Sequence, residues 1–303
     1  MAIITDDLHG SGNDYLLELL GEKILFRKSD YIIENPLYRY RPNISRAAEE
    51  IATGRIYLSE SDRQNDPFDS SYAIDDNTLL QEEHKIDLLL ECIAIYLNRE
   101  KSLIRNAWLE YGGKPINDRL SVQNFIQEFS KCASTSEDRI MHGIKYVLDN
   151  YSRRHGFGYK IACFSESPAS IPMWAYYANC HEGVCLKYDT SRLSSNPKEM
   201  ELKKAFCKVH YSDYRPKDLH GEYSLVVKSS QWAHEHEWRL ICKTEENHVV
   251  VPCLSAVYLG MRFDFRRIED IVSAIKTNGS YIDLYHCVAD QTKYDLCYRK
   301  INI

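Results

Sequence analysis

The segment QWAHEHEWRL, residues 231–240, holds five ionisable side chains between two apolar ends. If the segment is extended, Glu235 and Glu237 point to one face and His234 and His236 to the other. Burial of both carboxylates without partners would be costly, so at least one should face solvent or a polar cavity. The segment is therefore a candidate for the catalytic edge of an enzyme.

Two other interpretations of this segment remain open. It can be a solvated strand entry, or it can contribute to a metal site. The HEHE spacing differs from the H-E-x-x-H pattern of zinc hydrolases, so a strand would need metal ligands from elsewhere in the chain. A metal-dependent hydrolase or nuclease would therefore require Asp66, Asp69, His181 or the pair His234 and His236 to converge.

An aromatic cluster follows an apolar strand in residues 162–189. The strand ends in hydroxyl-bearing Ser165, and the residues after it include Trp174, Tyr176, Tyr177 and His181. Aromatic rings can stack on a planar ligand while hydroxyl groups hydrogen-bond a ribose or an amide. The alternative is a packed corner between a helix and a strand, in which the aromatic side chains belong to the core.

The segment LYRYR, residues 37–41, alternates in the same way. On a strand, Tyr38 and Tyr40 share one face, and Arg39 and Arg41 share the other. Two arginines on one face favour an anionic partner such as a phosphate or a carboxylate. The alternative is that they form salt bridges with nearby acidic residues of the chain.

Composition limits the class of protein. The chain has 303 residues, 44% of them hydrophobic and 27% charged, and a net charge of -6, which argues against general adhesion to nucleic acids or membranes. The ten cysteines form no C-x-x-C pair, no secretory signal is visible, and no apolar run is long enough to span a bilayer. We expect a cytoplasmic protein with no membrane partner.

The elements that must position these residues indicate an α+β fold. Strand-like segments flank a helical insertion at about 78–156, and their irregular spacing predicts a split, mixed or antiparallel central sheet in a single domain, 1–303. Neither a P-loop nor a G-x-G-x-x-G fingerprint is present. Local patterns also predict a helix within 14–24, a helix capped by Ser45, and a helix over 223–232.

Taken in order, LYRYR, GRIYLSESDRQNDPFD, ACFSES, MWAYYANCHEGVCLKYD, KVHYSDY, KSSQWAHEHEWRL and AVYLG resemble the bacterial family catalogued as domain of unknown function 2971. The resemblance spans about residues 37–261. The Asn-Asp-Pro-Phe and Trp-x-x-Tyr-Ala-x-x-x-x-Gly-Val-Cys patterns are its most specific parts. The family name implies no activity.

A second resemblance implies one. ADP-ribosyltransferases have an arginine or histidine on a first core strand, then an aromatic-Ser-x-Ser strand, and then a late strand carrying Glu, often as Glu-x-Glu. The present chain is similar in order, with Arg39 or Arg41, then Phe164-Ser165-Glu166-Ser167, and then Glu235-His236-Glu237. It departs from the pattern at Glu166, where the family has Thr. The fold implied is a split, mixed sheet with NAD in its cleft.

The resemblance implies roles for these residues. Glu237 would accept a hydrogen bond from the nicotinamide ribose and stabilise its oxocarbenium-like charge, and Glu235 would orient or deprotonate the acceptor. Arg39 or Arg41 would bind the pyrophosphate, and Ser165 would support the ribose. Tyr176 or Tyr177 would stack on nicotinamide, within the aromatic cluster that also contains Trp174 and His181.

The leading hypothesis is thus an NAD-dependent ADP-ribosyltransferase-like enzyme that acts as a bacterial toxin or phage-defence effector. NAD is expected as substrate, with a protein or nucleic acid as acceptor and a separate protein as regulator. The alternative from another class is a non-catalytic recognition module of a stress or phage-defence assembly, which would dock a partner through the helical insertion.

Overall fold

The computed structural model describes residues 2–3, 14–19, 22–27, 36–71, 86–110, 122–155, 159–216 and 223–303, which form sixteen strands and eight α-helices. The strands are β1 (Ala2–Ile3), β2 (Asp14–Leu19), β3 (Glu22–Arg27), β4 (Leu37–Arg41), β5 (Arg55–Tyr57), β6 (Ser59–Glu60), β7 (Tyr159–Ser165), β8 (Val184–Tyr188), β9 (Phe206–Lys208), β10 (His210–Ser212), β11 (Val227–Ser229), β12 (Glu237–Lys243), β13 (His248–Val250), β14 (Leu254–Leu259), β15 (Asp283–Ala289) and β16 (Leu296–Ile301). The helices are α1 (Ile44–Thr53), α2 (Ile86–Tyr96), α3 (Lys101–Glu110), α4 (Val122–Cys132), α5 (Glu137–His155), α6 (Ile171–Tyr177), α7 (Pro197–Lys204) and α8 (Ile268–Asn278).

A ten-stranded sheet forms the centre of the fold. Its main path runs β1-β12-β7-β4-β8-β14-β15-β16, with β6 paired to β7 and β9 paired to β12. The pairing of β14 with β15 is parallel, and the other pairs along this path are antiparallel. The predicted α+β class and the mixed central sheet are confirmed.

The sheet opens between β4 and β7. These strands share one register pair, Tyr38 with Ser165, after which β6 takes the place of β4 beside β7. The Arg39 guanidinium bridges the opening, because it donates to the carbonyl oxygens of Cys163 at 3.1 Å and Tyr57 at 3.0 Å. A side chain thus replaces the ladder hydrogen bonds that the diverging strands cannot make.

Each face of the sheet carries its own core. On one face α1 and α8 pack over a cluster that includes Ile51, Leu186, Leu240, Val257 and Ile275. The other face carries an aromatic cluster built around Tyr40, Trp174 and Tyr258. The predicted alternation of LYRYR is observed, because Tyr38 and Tyr40 join the aromatic cluster while Arg39 and Arg41 face α1.

The helical insertion predicted at about 78–156 is present as α2 to α5 within the described residues, one helix more than the three that its pattern suggests. It has a separate core, in which Trp108 stacks at 6.1 Å on Phe129 and contacts Phe125. Whether the chain forms one domain stays a prediction. Within the described ranges, none of the helices has both the length and the apolar composition required to cross a bilayer.

Three local predictions are wrong. Residues 14–24 do not form a helix, because β2 and β3 pair antiparallel with Asp14 opposite Arg27, leaving only two residues to connect them. Helix α1 is capped by Asn43, whose side chain accepts from the Arg46 amide, and not by Ser45. The helix predicted over 223–232 is not formed. One 3₁₀ turn precedes β11 and another follows it, because Val227 to Ser229 pair with β10.

Candidate functional site

A cleft of about 740 Å³ lies where β4 and β7 separate. Its described lining includes six cationic and four carboxylate side chains, namely Arg39, Arg41, Arg46, Arg55, Arg63 and Lys228 with Glu49, Glu50, Glu235 and Glu237. Positive charge is therefore in excess here, although the whole chain carries -6. A cleft of this size and charge suits a small anionic ligand.

The two glutamates of the HEHE segment meet at one cation, although the segment is not extended. Glu235 ends a 3₁₀ turn, His236 adopts a left-handed conformation with φ 45°, and Glu237 begins β12. This corner directs both carboxylates to Lys228, whose Nζ lies 2.5 Å from Glu235 Oε2 and 3.0 Å from Glu237 Oε2. The two carboxylates thus point the same way, as predicted, but the cause is the left-handed corner at His236 and not the alternation of an extended strand.

Behind these glutamates lies a buried network of charges. Arg239 is fully buried and donates to both oxygens of Asp69, at 2.8 and 2.6 Å, and to Glu237 Oε1 at 2.9 Å. Lys228 Nζ also lies 3.8 Å from Asp69. Each buried charge therefore has an oppositely charged partner, as the cost of removing ions from water requires.

The network fixes the ionisation state of Glu237. Burial alone would raise the pKa of this carboxyl, but Arg239 and Lys228 more than offset burial and lower its pKa to about 2. The same attraction raises the pKa of Lys228 despite burial, chiefly through Glu237 and Glu235. Glu237 is consequently a permanent anion at neutral pH, which suits charge stabilisation and not proton donation.

Tyr177 connects Glu235 to the cleft. Its hydroxyl donates to Glu235 Oε1 and accepts from Asn65 Nδ2 at 2.7 Å. Burial, and then the hydrogen bond to Glu235, raises the pKa of Tyr177. The phenol therefore stays protonated, and it can relay a proton to the carboxylate only as its oxygen takes up another proton from a donor in the cleft. In the structure Tyr177 thus interacts through its hydroxyl group, whereas the resemblance implied that the ring of Tyr176 or Tyr177 would stack on nicotinamide.

Both predicted arginines line the cleft, but they pair with Glu50 of α1. Arg39 Nε lies 3.2 Å from Glu50 Oε1, and Arg41 Nε lies 3.0 Å from Glu50 Oε2. The remaining donors of Arg39 hold the strand carbonyls described above, so Arg39 is a structural clamp. The terminal guanidinium nitrogens of Arg41 have no hydrogen-bond partner among the described residues. Arg41 is therefore the candidate residue for binding an external anion.

Ser165 positions the carboxylates and does not reach the cleft. Its hydroxyl donates to the Glu235 carbonyl at 2.7 Å, and the residue is buried. In the sheet it stands between Tyr38 on β4 and Glu237 on β12. The three segments of the ADP-ribosyltransferase-like pattern are therefore adjacent in space, although a direct contact of Ser165 with a ribose would require it to leave its carbonyl partner.

Three residues predicted to bind a cofactor lie outside the cleft. Trp174 is fully buried, donates to the Pro168 carbonyl at 2.7 Å, and packs edge-on against Tyr40. His181 stacks on Trp174 at 6.0 Å. Tyr176 is 66% exposed, on the outer side of α6. The packed-corner alternative accounts for Trp174, whose ring is fully buried, and for His181, which is partly exposed and stacks on that ring.

The metal interpretation finds no site in the part of the chain that the structure describes, where no three His, Cys, Asp or Glu side chains converge at ligand distance. Asp69 is paired with Arg239, and the ring of His181 stacks on Trp174.

The sequence did not indicate the roles of two residues of the network, Lys228 and Asp69. Lys228 directly follows the apolar residues LVV, and a lysine beside an apolar run can signal a buried ion pair. Asp69 was considered only as a metal ligand. Its partner Arg239 lies 170 residues away, so no local pattern could join them.

A protein-family model described as "Protein of unknown function (DUF2971)" matches residues 173–240. Over this segment the match confirms the resemblance to that family, and the segment contains Tyr177, Lys228, Glu235 and Glu237. No curated protein and no solved structure matches the chain.

Proposed function

We propose that the protein is an NAD-consuming transferase of the ADP-ribosyl type, with its active site in the cleft between β4 and β7. The observation that carries the proposal is that Arg41, Tyr177, Glu235 and Glu237 all line one cleft. This reaction requires a cationic group that binds the anionic substrate, a permanently ionised carboxylate and a proton acceptor.

Glu237 is suited to stabilise the reacting ribose. Its Oε2 accepts from Lys228 Nζ and Arg239 Nη2, whereas its Oε1 accepts from one nitrogen donor, Arg239 Nε. A ribose hydroxyl in the cleft can therefore donate to this oxygen. The carboxylate, fixed by two cations, would then oppose the positive charge that develops at the ribose as nicotinamide leaves.

The step breaks the bond between the ribose C1′ and the nicotinamide nitrogen, and the electron pair of that bond leaves with neutral nicotinamide. The acceptor nucleophile, or water, forms the new bond to C1′. Its proton passes to Glu235 through the Tyr177 hydroxyl, which is hydrogen-bonded to that carboxylate. Arg41 would bind the pyrophosphate with its unpaired nitrogens.

The test is release of nicotinamide from NAD by the purified wild type and by Glu237→Gln. We expect release by the wild type and a loss of at least about 100-fold in the variant, with NAD binding retained. Since Glu237 belongs to a buried ion network, the melting temperature of the variant is measured beside that of Glu166→Gln. Glu166 is a half-buried carboxylate outside the cleft that pairs with Lys208 at 2.7 Å. Equal turnover by the folded wild type and Glu237→Gln would refute the assignment.

The biological role that we propose is that of a bacterial toxin or phage-defence effector, because an enzyme that drains NAD restrains growth. Expression of the wild type is expected to slow growth, and Glu237→Gln is expected to relieve the effect at equal protein abundance. Equal growth inhibition by both would argue against NAD consumption as its cause.

A further inference from the structure

One wall of the cleft is a two-stranded ribbon formed by β5 and β13. In its register Tyr57 lies opposite His248 and Arg55 opposite Val250. The central residues Ile56 and Val249 are buried beneath, so the other four side chains form the outer face of the ribbon. We call these four residues, Arg55, Tyr57, His248 and Val250, the ribbon face.

Cations without carboxylate partners surround this face. Arg46 of α1, Arg55 of the ribbon and Arg63 of the 3₁₀ turn at 61–63 are exposed, and all three line the cleft. Among the described residues none of the three has an ion-pair partner. Unpaired arginines in an acidic chain mark a place where an external anion is favoured.

The ribbon face also offers an aromatic ring. Tyr57 is 40% exposed and stands edge-on to His248, with ring centroids 5.5 Å apart. Its backbone is held by the Arg39 guanidinium, which donates to the Tyr57 carbonyl at 3.0 Å. A supported, exposed ring beside arginines is the combination that binds successive nucleotides, by stacking of a base and by contacts with phosphates.

We propose that the ribbon face, with Arg46 and Arg63, binds single-stranded nucleic acid as the acceptor of the transferase. Three arginines beyond Arg41 exceed what the two phosphates of NAD need, and their spread along the cleft wall suits a strand with repeated phosphates. A single strand is favoured over a duplex, because only an unstacked base can reach a ring set inside a cleft. The role of the strand as acceptor rests on the proposed function, whereas its binding does not.

The experiment measures anisotropy of labelled single-stranded RNA and DNA of 12 nucleotides, with a duplex of equal length, in the absence of NAD. We expect single strands to bind more tightly, with log K falling by about 2 per decade of salt, as three phosphate contacts predict. The double variant Arg55→Ala/Arg63→Ala should reduce that slope by roughly 1.4. Tyr57→Ala should weaken binding on the order of 10-fold.

The matched control is Arg299→Ala, an exposed arginine on the edge strand β16, away from the cleft. It should leave affinity and slope unchanged, and the melting temperatures of the arginine variants should match the wild type, since their side chains are exposed. Absence of binding, or binding that the ribbon variants do not alter, overturns the proposal. A polyglutamate peptide that binds as tightly, with the same dependence on Arg55 and Arg63, would assign the face to acidic proteins instead.

Failure of this proposal is distinguishable from failure of the proposed function. If the strand binds at the ribbon face but nicotinamide is not released in its presence, the binding site stands and the transferase does not. If nicotinamide is released but no strand binds, the enzyme stands and the acceptor is of another class.

Discussion

Arg239 holds Asp69 through two parallel hydrogen bonds, Nη1 to Oδ1 at 2.8 Å and Nη2 to Oδ2 at 2.6 Å, and both side chains are buried. Planar matching of a guanidinium and a carboxylate joins β12 to the turn before the helical insertion. Arg239 also binds Glu237, and Lys228 lies 3.8 Å from Asp69, so the positions of both residues depend on this pair.

Removal of the guanidinium should therefore destabilise the fold. Arg239→Met leaves Asp69 without its bidentate partner and Glu237 with Lys228 alone, and we expect a loss of about 3–5 kcal/mol in the free energy of unfolding. Urea denaturation measures it. The control is Arg266→Ala, which removes an exposed pair with Asp264 and should leave the midpoint nearly unchanged. Similar midpoints for both variants would mean that the buried pair contributes little.

Acid should weaken the fold through Glu237. Its pKa is lowered from 4.5 to about 2 in the folded protein, so its ionised form stabilises the fold above the unfolded value of 4.5. That contribution, on the order of 3 kcal/mol, is lost as the pH falls from about 4.5 towards 2. Unfolding free energies of the wild type and Glu237→Gln, measured from pH 6 to 2.5, should converge in this window. Parallel curves would contradict the lowered pKa.

Loss of the Tyr177 hydroxyl should slow the reaction without abolishing NAD binding. In Tyr177→Phe the path from the acceptor to Glu235 is interrupted, and we expect the turnover number to fall about 100-fold with a small change in KM. Tyr294→Phe, at a fully exposed position, is the matched control. A change in KM alone would indicate that Tyr177 contacts NAD but does not carry the proton.

A methyl group at Gly183 should disturb the cleft from behind. A Cβ there would lie 2.2 Å from the Arg41 carbonyl oxygen, a backbone atom that cannot rotate away. We expect Gly183→Ala to destabilise the fold by roughly 3 kcal/mol and to weaken NAD binding through displacement of Arg41. Gly279→Ala provides the comparison, because its surroundings are open and only its φ of 74° opposes a side chain, at about 1 kcal/mol. Equal losses of unfolding free energy in Gly183→Ala and Gly279→Ala would mean that the close approach to the Arg41 carbonyl does not determine the cost of a side chain at position 183.

Periodicity predicted the strand LYRYR and its faces correctly, because alternation in a strand follows directly from backbone geometry. It also singled out Glu235 and Glu237, but it could not foresee the left-handed His236 that turns both towards Lys228. Residue type alone could not separate the core ring of Trp174 from an exposed ring such as Tyr57. Burial is decided by tertiary packing, which a local pattern does not contain.

Partners that are set by packing were beyond the sequence for the same reason. The alternative that Arg39 and Arg41 form salt bridges with nearby acidic residues is confirmed, but the sequence could not single out Glu50, which lies on the helix that follows their strand and meets them only after packing. The ion pairs of Lys228 and Arg239 with Asp69 likewise depend on packing, because they join segments that are distant in the chain. The candidate residues could be named from their types, whereas their roles required the partners.

The most direct measurement is a crystal structure of Glu237→Gln soaked with NAD. We expect NAD in the cleft between β4 and β7, with the pyrophosphate on the guanidinium of Arg41 and a hydroxyl of the nicotinamide ribose about 3 Å from the residue 237 side chain. NAD bound elsewhere, or an empty cleft at millimolar NAD with the fold intact, would contradict it.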